Sequence, residues 1–263
     1  MGKIWLIASG KGGVGKSLVA AGLAVYFANK ALKTLIVDAD AGLRNQDLIL
    51  GLENKVLYEL NDFILKRCTL EDAMVSHDMY PNLHLLACGQ NAEPSDFNNN
   101  ELNDIFSSIK KQFDIIIIDA PTGIGRGLKN FISLSDECML IATSDAVCLR
   151  DTEKTANILF SIKHQQPYLV INRLEPDADQ KPSQIAMALD MKLLGAIPFS
   201  KRFHSAMSEG ESVLNCKDKN VLFAFYNIAS RMQGIDIPLN FEDNIGSLTG
   251  FFERLKRGGN IGA

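Results

Sequence analysis

The residues best suited to chemistry lie close to the N-terminus. Gly10-Lys11-Gly12-Gly13-Val14-Gly15-Lys16-Ser17 follows the spacing G-x-x-x-x-G-K-[ST]. A chance match in a chain of this length is of the order of one in a hundred. The glycines let backbone N–H groups turn inward around phosphate oxygens, and a following helix adds its positive end. Lys16 is then expected to reach the β and γ phosphates. The Ser17 hydroxyl is expected to ligate Mg2+. Gly10, Lys11, Gly12, Gly13, Val14, Gly15, Lys16, Ser17 and Leu18 together form the expected nucleotide cradle.

Two acidic segments complete the constellation. Phe113-Asp114-Ile115-Ile116-Ile117-Ile118-Asp119 reads as an apolar strand ending in a carboxylate. Asp119 is expected to hold Mg2+ through water, and Pro121-Thr122-Gly123 to form a switch that senses the γ-phosphate. Leu35-Ile36-Val37-Asp38-Ala39-Asp40 ends a second strand with two carboxylates two positions apart. That spacing puts both on one side if the strand continues. Asp38 is expected near the metal and Asp40 near the attacking water.

Such groups need rigid strand ends to hold them. Short apolar runs recur at Ile4–Ala8, Thr34–Val37, Leu83–Ala87, Ile115–Ile118, Cys138–Ala142, Tyr168–Ile171 and Leu193–Ile197. They are rich in branched residues with little alternation, as in strands buried on both faces. Amphipathic segments lie between them at Ser17–Asn29, Glu101–Lys111, Thr152–Lys163 and Ser183–Met191, with a last helix at Asn220–Met232. The βαβα order predicts an α/β fold with a mostly parallel, doubly wound sheet. The polar cluster Glu93–Asn100 reads as a loop ending in a helix N-cap.

The chain has 263 residues, 46% of them hydrophobic and 22% charged. This is the balance of an ordinary globular protein, and the length suffices for a core without staples. The formal net charge is −4, so a global basic footprint for nucleic acid is absent. The cysteines (Cys68, Cys88, Cys138, Cys148 and Cys216) form no CxxC pair and read as reduced thiols. The four histidines show no ligand spacing. No run of 18 apolar residues occurs, and the N-terminal apolar run is too short for a secretory leader. A cytoplasmic protein is expected.

The last residues differ from the rest. After Pro238 the chain turns polar, and a boundary there predicts a catalytic domain over 1–238 and a tail over 239–263. Ile245, Leu248, Phe251, Phe252 and Leu255 recur at three- and four-residue spacing, with Arg254, Lys256 and Arg257 on much of the other face. Residues 250–259 carry a net +2, leaving −6 on the other 253. This reads as a short amphipathic helix for an anionic membrane surface. Gly246 and Gly250 weaken it in isolation, so it is expected to order on lipid. One tail binds weakly, and two in a dimer gain avidity.

The loop with its extra lysine, the run Asp38 to Glu53, and the Gly250-Phe251-Phe252 segment resemble the ParA/MinD family of deviant Walker A ATPases. Gly42-Leu43-Arg44-Asn45, with Asp47-Leu48 and Gly51-Leu52-Glu53, resembles the branch that sets the division septum. The resemblance implies a P-loop NTPase fold and an ATP-hydrolysing switch. It implies ATP and Mg2+ as cofactors, catalytic roles for Lys11, Lys16 and Asp40, and metal roles for Ser17, Asp38 and Asp119. Lys11 would cross an ATP-dependent homodimer to the partner's nucleotide. Asn172 would contact the adenine, flanked by Arg173 and Pro198. Reversible attachment to the inner face of the cell membrane follows, as do a division inhibitor of the MinC type and a topological partner of the MinE or DivIVA type. Gln46 departs from the apolar residue usual in that branch, and Thr122 from a small one. The rivals are an FlhG-like flagellar-placement ATPase and a ParA-type partitioning ATPase. An extension before the loop would mark the first, and a basic DNA-binding surface the second. An iron–sulfur carrier would need facing cysteines. A non-hydrolysing ATP sensor is set against by Lys16, Ser17, Asp40 and Asp119 together.

Overall fold

A computed structural model describes residues 1–40, 44–89, 99–121, 126–208 and 213–239. The strands are β1 (Lys3–Ala8), β2 (Thr34–Asp38), β3 (Met74–Ser76), β4 (Leu83–Ala87), β5 (Ile115–Asp119), β6 (Glu137–Ala142), β7 (Tyr168–Leu174) and β8 (Lys192–Pro198). The helices are α1 (Lys16–Asn29), α2 (Gln46–Ile49), α3 (Leu60–Ile64), α4 (Leu70–Ala73), α5 (Asn99–Ile109), α6 (Arg126–Leu134), α7 (Ala146–Lys163), α8 (Pro182–Ala188), α9 (Lys201–Ser208) and α10 (Lys219–Met232).

One sheet runs in the order β3-β4-β2-β5-β1-β6-β7-β8. Every neighbouring pair is parallel except β3 with β4. All seven apolar runs read from the sequence are strands. Their residues are almost wholly buried because helices cover both faces, which is why the runs do not alternate. Trp5, Leu6, Ile7, Ile116, Ile117, Leu140 and Ile141 form the centre of the core.

The structure differs from the sequence reading at several edges. β3 is an additional antiparallel edge strand of three residues, too short to show a period. α7 begins at Ala146, six residues before the expected Thr152, because the Asp145 side chain accepts the Cys148 N–H and caps the first turn. β7 continues past Ile171 to Leu174 through an irregularity in its pairing with β8. The short helices α2, α3 and α4 carry too few residues for an amphipathic stripe.

The register fixes the functional strand ends. Asp38, last in β2, lies directly beside Asp119, last in β5. Ile7 of β1 pairs with Asp119 on the other side, and the chain leaves β1 into the glycine loop. The loop and both carboxylates therefore meet at the C-terminal edge of the sheet, where parallel α/β folds bind ligands.

Candidate functional site

The glycine loop leads straight into α1. Gly15 has φ +89° and stands at the helix N-cap, where it supplies no side-chain cap. A Cβ at Gly15 would lie 2.5 Å from Asn172 Nδ2, so the close approach as well as the backbone requires glycine. The first N–H groups of α1 thus meet no capping side chain, and an anion is their natural partner. Gly10 packs against the Asp151–Thr152 backbone of α7, and Val14 is buried. Gly12 and Gly13 face open space. Leu18 packs partly against the core.

Beneath the loop is a buried polar cluster. Lys16 Nζ lies 2.5 Å from Asp119 Oδ1, with both side chains nearly or wholly inaccessible. Ser17 Oγ is 3.5 Å from the same ammonium. Asp38 accepts three backbone N–H groups: Asp40 to Oδ1 at 3.2 Å, and Asn45 and Gln46 to Oδ2 at 2.9 Å each. Burial, and then the neighbouring Asp119 charge, nevertheless push the Asp38 carboxyl up to about 6. Asp40 is half-buried just beyond β2.

These residues fit a hard divalent cation. Among the described residues no group of three or more His, Cys, Asp or Glu could hold a metal by itself. Magnesium needs no such cage, because it takes one or two carboxylates with substrate phosphates and water. Asp38, Asp119 and the Ser17 hydroxyl are oxygen donors of that kind. Gln46 Oε1, buried and unpartnered among the described residues, marks further unmet polar demand beside them.

The remaining candidates lie on either side. Lys11 is exposed and pairs with Asp145 Oδ1 at 3.3 Å. Hydrogen bonds from Thr143 Oγ1 and the Cys148 N–H, with Lys11, hold the Asp145 carboxyl below its usual range. Asn172 is buried and donates Nδ2 to the Val14 carbonyl at 2.8 Å, tying β7 to the loop. Arg173 follows in the β7 irregularity with φ +54°. It lines an open cleft of about 620 Å³ with Phe199, Lys201, His204 and Ser205. Pro198, half-buried, pairs with Leu174 at the end of β8.

Sequence reading had not brought Gln46 or Asp145 into the site. Gln46 was visible only as a departure from an apolar pattern, and Asp145 was not read at all, its residue type, common at helix N-caps, being the signal it carries. Gly42 and Leu43, the switch residues Thr122 and Gly123, the Glu93–Asn98 loop residues and the tail over 240–263 lie outside the described residues.

Comparison with known proteins agrees with this fold. Residues 5–213 match the family model of the CobQ/CobB/MinD/ParA nucleotide binding domain. The chain is 33% identical over 263 residues to the septum site-determining protein MinD of Synechocystis, covering 98% of each. In structure it is similar to MinD in the MinC:MinD cell division complex of Aquifex aeolicus, with a TM-score of 0.82 and 28% identity. That match covers 92% of this chain and 100% of the other. It is also similar to the septum site-determining protein MinD complexed with Mg-ADP from Pyrococcus horikoshii, with a TM-score of 0.76 and 28% identity. There the coverage is 88% and 96%.

Proposed function

The chain belongs to the MinD branch of the CobQ/CobB/MinD/ParA nucleotide-binding ATPase family, and on that premise we propose that it is a Mg2+-dependent ATP switch for septum placement. ATP drives its dimerisation, and the dimer attaches reversibly to the inner face of the cell membrane. The observation that carries this reading is the adjacency of Asp38 and Asp119 beneath a glycine loop whose lysine already contacts Asp119.

The residues divide the work. Backbone N–H groups from Gly10 to Ser17 bind the β and γ phosphates, and Lys16 moves from Asp119 to the phosphate oxygens. Ser17, Asp38 and Asp119 hold the cation. Bound there, Mg2+ would supply positive charge to offset the negative charge of the phosphates. Asp40 orients the attacking water and accepts its proton. Lys11 leaves Asp145 and reaches the partner protomer's nucleotide, so hydrolysis waits for dimerisation. Asn172, Arg173 and Pro198 face the base.

No helix among the described residues is long and apolar enough to cross a membrane. Attachment falls to the segment 239–263, whose aromatic and basic residues pair an apolar face with a cationic one. Dimerisation doubles the tails and makes attachment depend on ATP. A division inhibitor of the MinC type is the partner such a dimer recruits.

The test is ATPase activity with and without anionic liposomes, alongside sedimentation with ATP and with ADP. Turnover, with sedimentation only in ATP, is the expected result. Equal sedimentation with both nucleotides would sink the switch.

A further inference from the structure

Gln46 opens α2 and is fully buried. Its side-chain Nε2 donates to Asp119 Oδ2 at 2.8 Å and to the Ser17 carbonyl at 3.0 Å. Its backbone N–H donates to Asp38 Oδ2. One residue therefore grips both carboxylates and the start of α1. The orientation of the amide is fixed chemically, because a carboxylate and a carbonyl only accept, so the nitrogen must face them. The oxygen is directed elsewhere. Gln46 Oε1 is buried and finds no hydrogen-bond partner among the described residues. A buried amide oxygen left unpaired carries a desolvation penalty that a bound donor relieves.

We propose that Gln46 is a positioning residue of the metal site, holding the Asp119 carboxylate in place and offering Oε1 to a water of the hydrated cation. Asp119 is pinned at both oxygens, by Lys16 and by Gln46. When Lys16 moves to a phosphate, Gln46 stays on the carboxylate and preserves its orientation. An amide suits this place because it adds no third negative charge beside Asp38 and Asp119. Its donor faces the carboxylate, while its neutral acceptor is free for a metal-bound water. Partners of this kind, one step from the metal, typically change metal affinity ten- to a hundredfold. The resemblance puts an apolar residue at this position, so Gln46 adjusts the site of this chain rather than meeting a family requirement.

The inference rests on the metal–nucleotide reading of the site, and the test separates the two. Gln46→Met keeps the length and shape of the side chain and removes both polar atoms. Electron paramagnetic resonance of Mn2+ gives its affinity for the full-length protein–ADP complex. The expected result is about tenfold weaker Mn2+ binding, with ADP affinity in EDTA unchanged within about twofold. Gln46→Leu, an apolar residue of similar volume, serves as the second arm and gives the same loss. Mn2+ affinity equal to wild type in either folded variant overturns the role of Gln46 and leaves the metal site standing. If the wild-type protein–ADP complex takes up no Mn2+, the metal–nucleotide reading itself falls.

Discussion

Lys16 Nζ stands 2.5 Å from Asp119 Oδ1, and the two side chains are 5% and 0% exposed. The lysine that should meet phosphate and the carboxylate that should meet a cation thus hold each other. Breaking a buried pair from one side leaves an uncompensated charge, at about 3 kcal/mol. Asp119→Ala is therefore expected to lower the unfolding free energy by about that amount without ligand. A phosphate supplies the missing countercharge, and in the variant it need not take Lys16 from Asp119. ADP in EDTA should raise the melting temperature of Asp119→Ala more than that of wild type. Differential scanning fluorimetry reads both shifts, and an equal or smaller shift in the variant would contradict the competition.

Asp38 gives the site a pH dependence with a definite sign. Its carboxyl is raised from 3.8 to about 6, first by burial and then by Asp119, against three N–H donors. An acid raised in the folded state favours folding below its ordinary value and loses that contribution as pH rises through the raised one. The loss falls between pH 4 and 6 and amounts to about 3 kcal/mol at most. Asp38→Asn removes the titration, although its amide fits the N–H groups from Asn45 and Gln46 less well. The difference in urea-unfolding free energy, variant minus wild type, should rise by about 2–3 kcal/mol from pH 4 to pH 7.5. A flat difference would show that the carboxylate is relieved in some other way.

The contrast between these residues explains what the sequence made legible. Gly10 to Ser17 is contiguous, so its chemistry shows in the spacing alone. The strands β2 and β5 advertise themselves because burial on both faces forces continuous apolar runs, which also marked Asp38 and Asp119 as strand ends. Gln46 and Asp145 join the site through contacts across 73 and 134 positions, which no local pattern encodes. β3 was illegible for a different reason: Met74, Val75 and Ser76 form an edge strand that is only partly buried, and three residues show no period. Asp145 did carry a signal as an N-cap type ahead of α7. That signal bears on where the helix begins and says nothing of Lys11.

Lys11 and Asp145 form an exposed pair, 44% and 48% accessible, of a kind that contributes little to stability. In the proposed dimer its importance is competitive, because Lys11 would have to leave Asp145 to serve the partner's nucleotide. Asp145→Asn keeps the cap on α7 and removes the charge. The variant is expected to melt within about 2 °C of wild type, since surface changes of this kind stay within about 0.5 kcal/mol. Its ATP-dependent dimerisation should be two- to fivefold tighter, the scale of a weak exposed pair of about 0.5–1 kcal/mol. Lys11→Ala should abolish that dimer. Light scattering after size exclusion with ATP distinguishes these outcomes, and an unchanged dimer in both variants would remove Lys11 from the interface.

Under the proposed mechanism Asp40 separates binding from hydrolysis. It lies half-buried past the end of β2, and its backbone N–H donates to Asp38 rather than to the glycine loop. With its proposed role confined to the attacking water, loss of its side chain should leave nucleotide affinity and ATP-driven dimerisation intact. Asp40→Ala is expected to reduce turnover by about 10²–10⁴-fold, the scale of a lost general base. Its dimer should consequently persist on anionic liposomes long after wild type has released. Single-turnover phosphate release and liposome sedimentation measure the two effects separately. Normal turnover in Asp40→Ala would assign the water to another group.

The glycines of the loop differ in what they tolerate. A methyl at Gly10 would lie 2.4 Å from the Asp151 carbonyl and 2.5 Å from the Thr152 nitrogen, which are backbone atoms of α7 and cannot swing aside. Gly12 meets nothing within 4 Å. Gly10→Ala must therefore push the loop from α7, and overpacking against a rigid neighbour costs about 1–3 kcal/mol. Gly12→Ala should leave stability within about 0.5 kcal/mol of wild type. Urea unfolding orders the two variants. Gly10 is a required glycine of G-x-x-x-x-G-K-[ST], and Gly12 stands at one of its open positions. A large stability loss confined to Gly10 would show that the required glycine also serves the packing of the loop on α7.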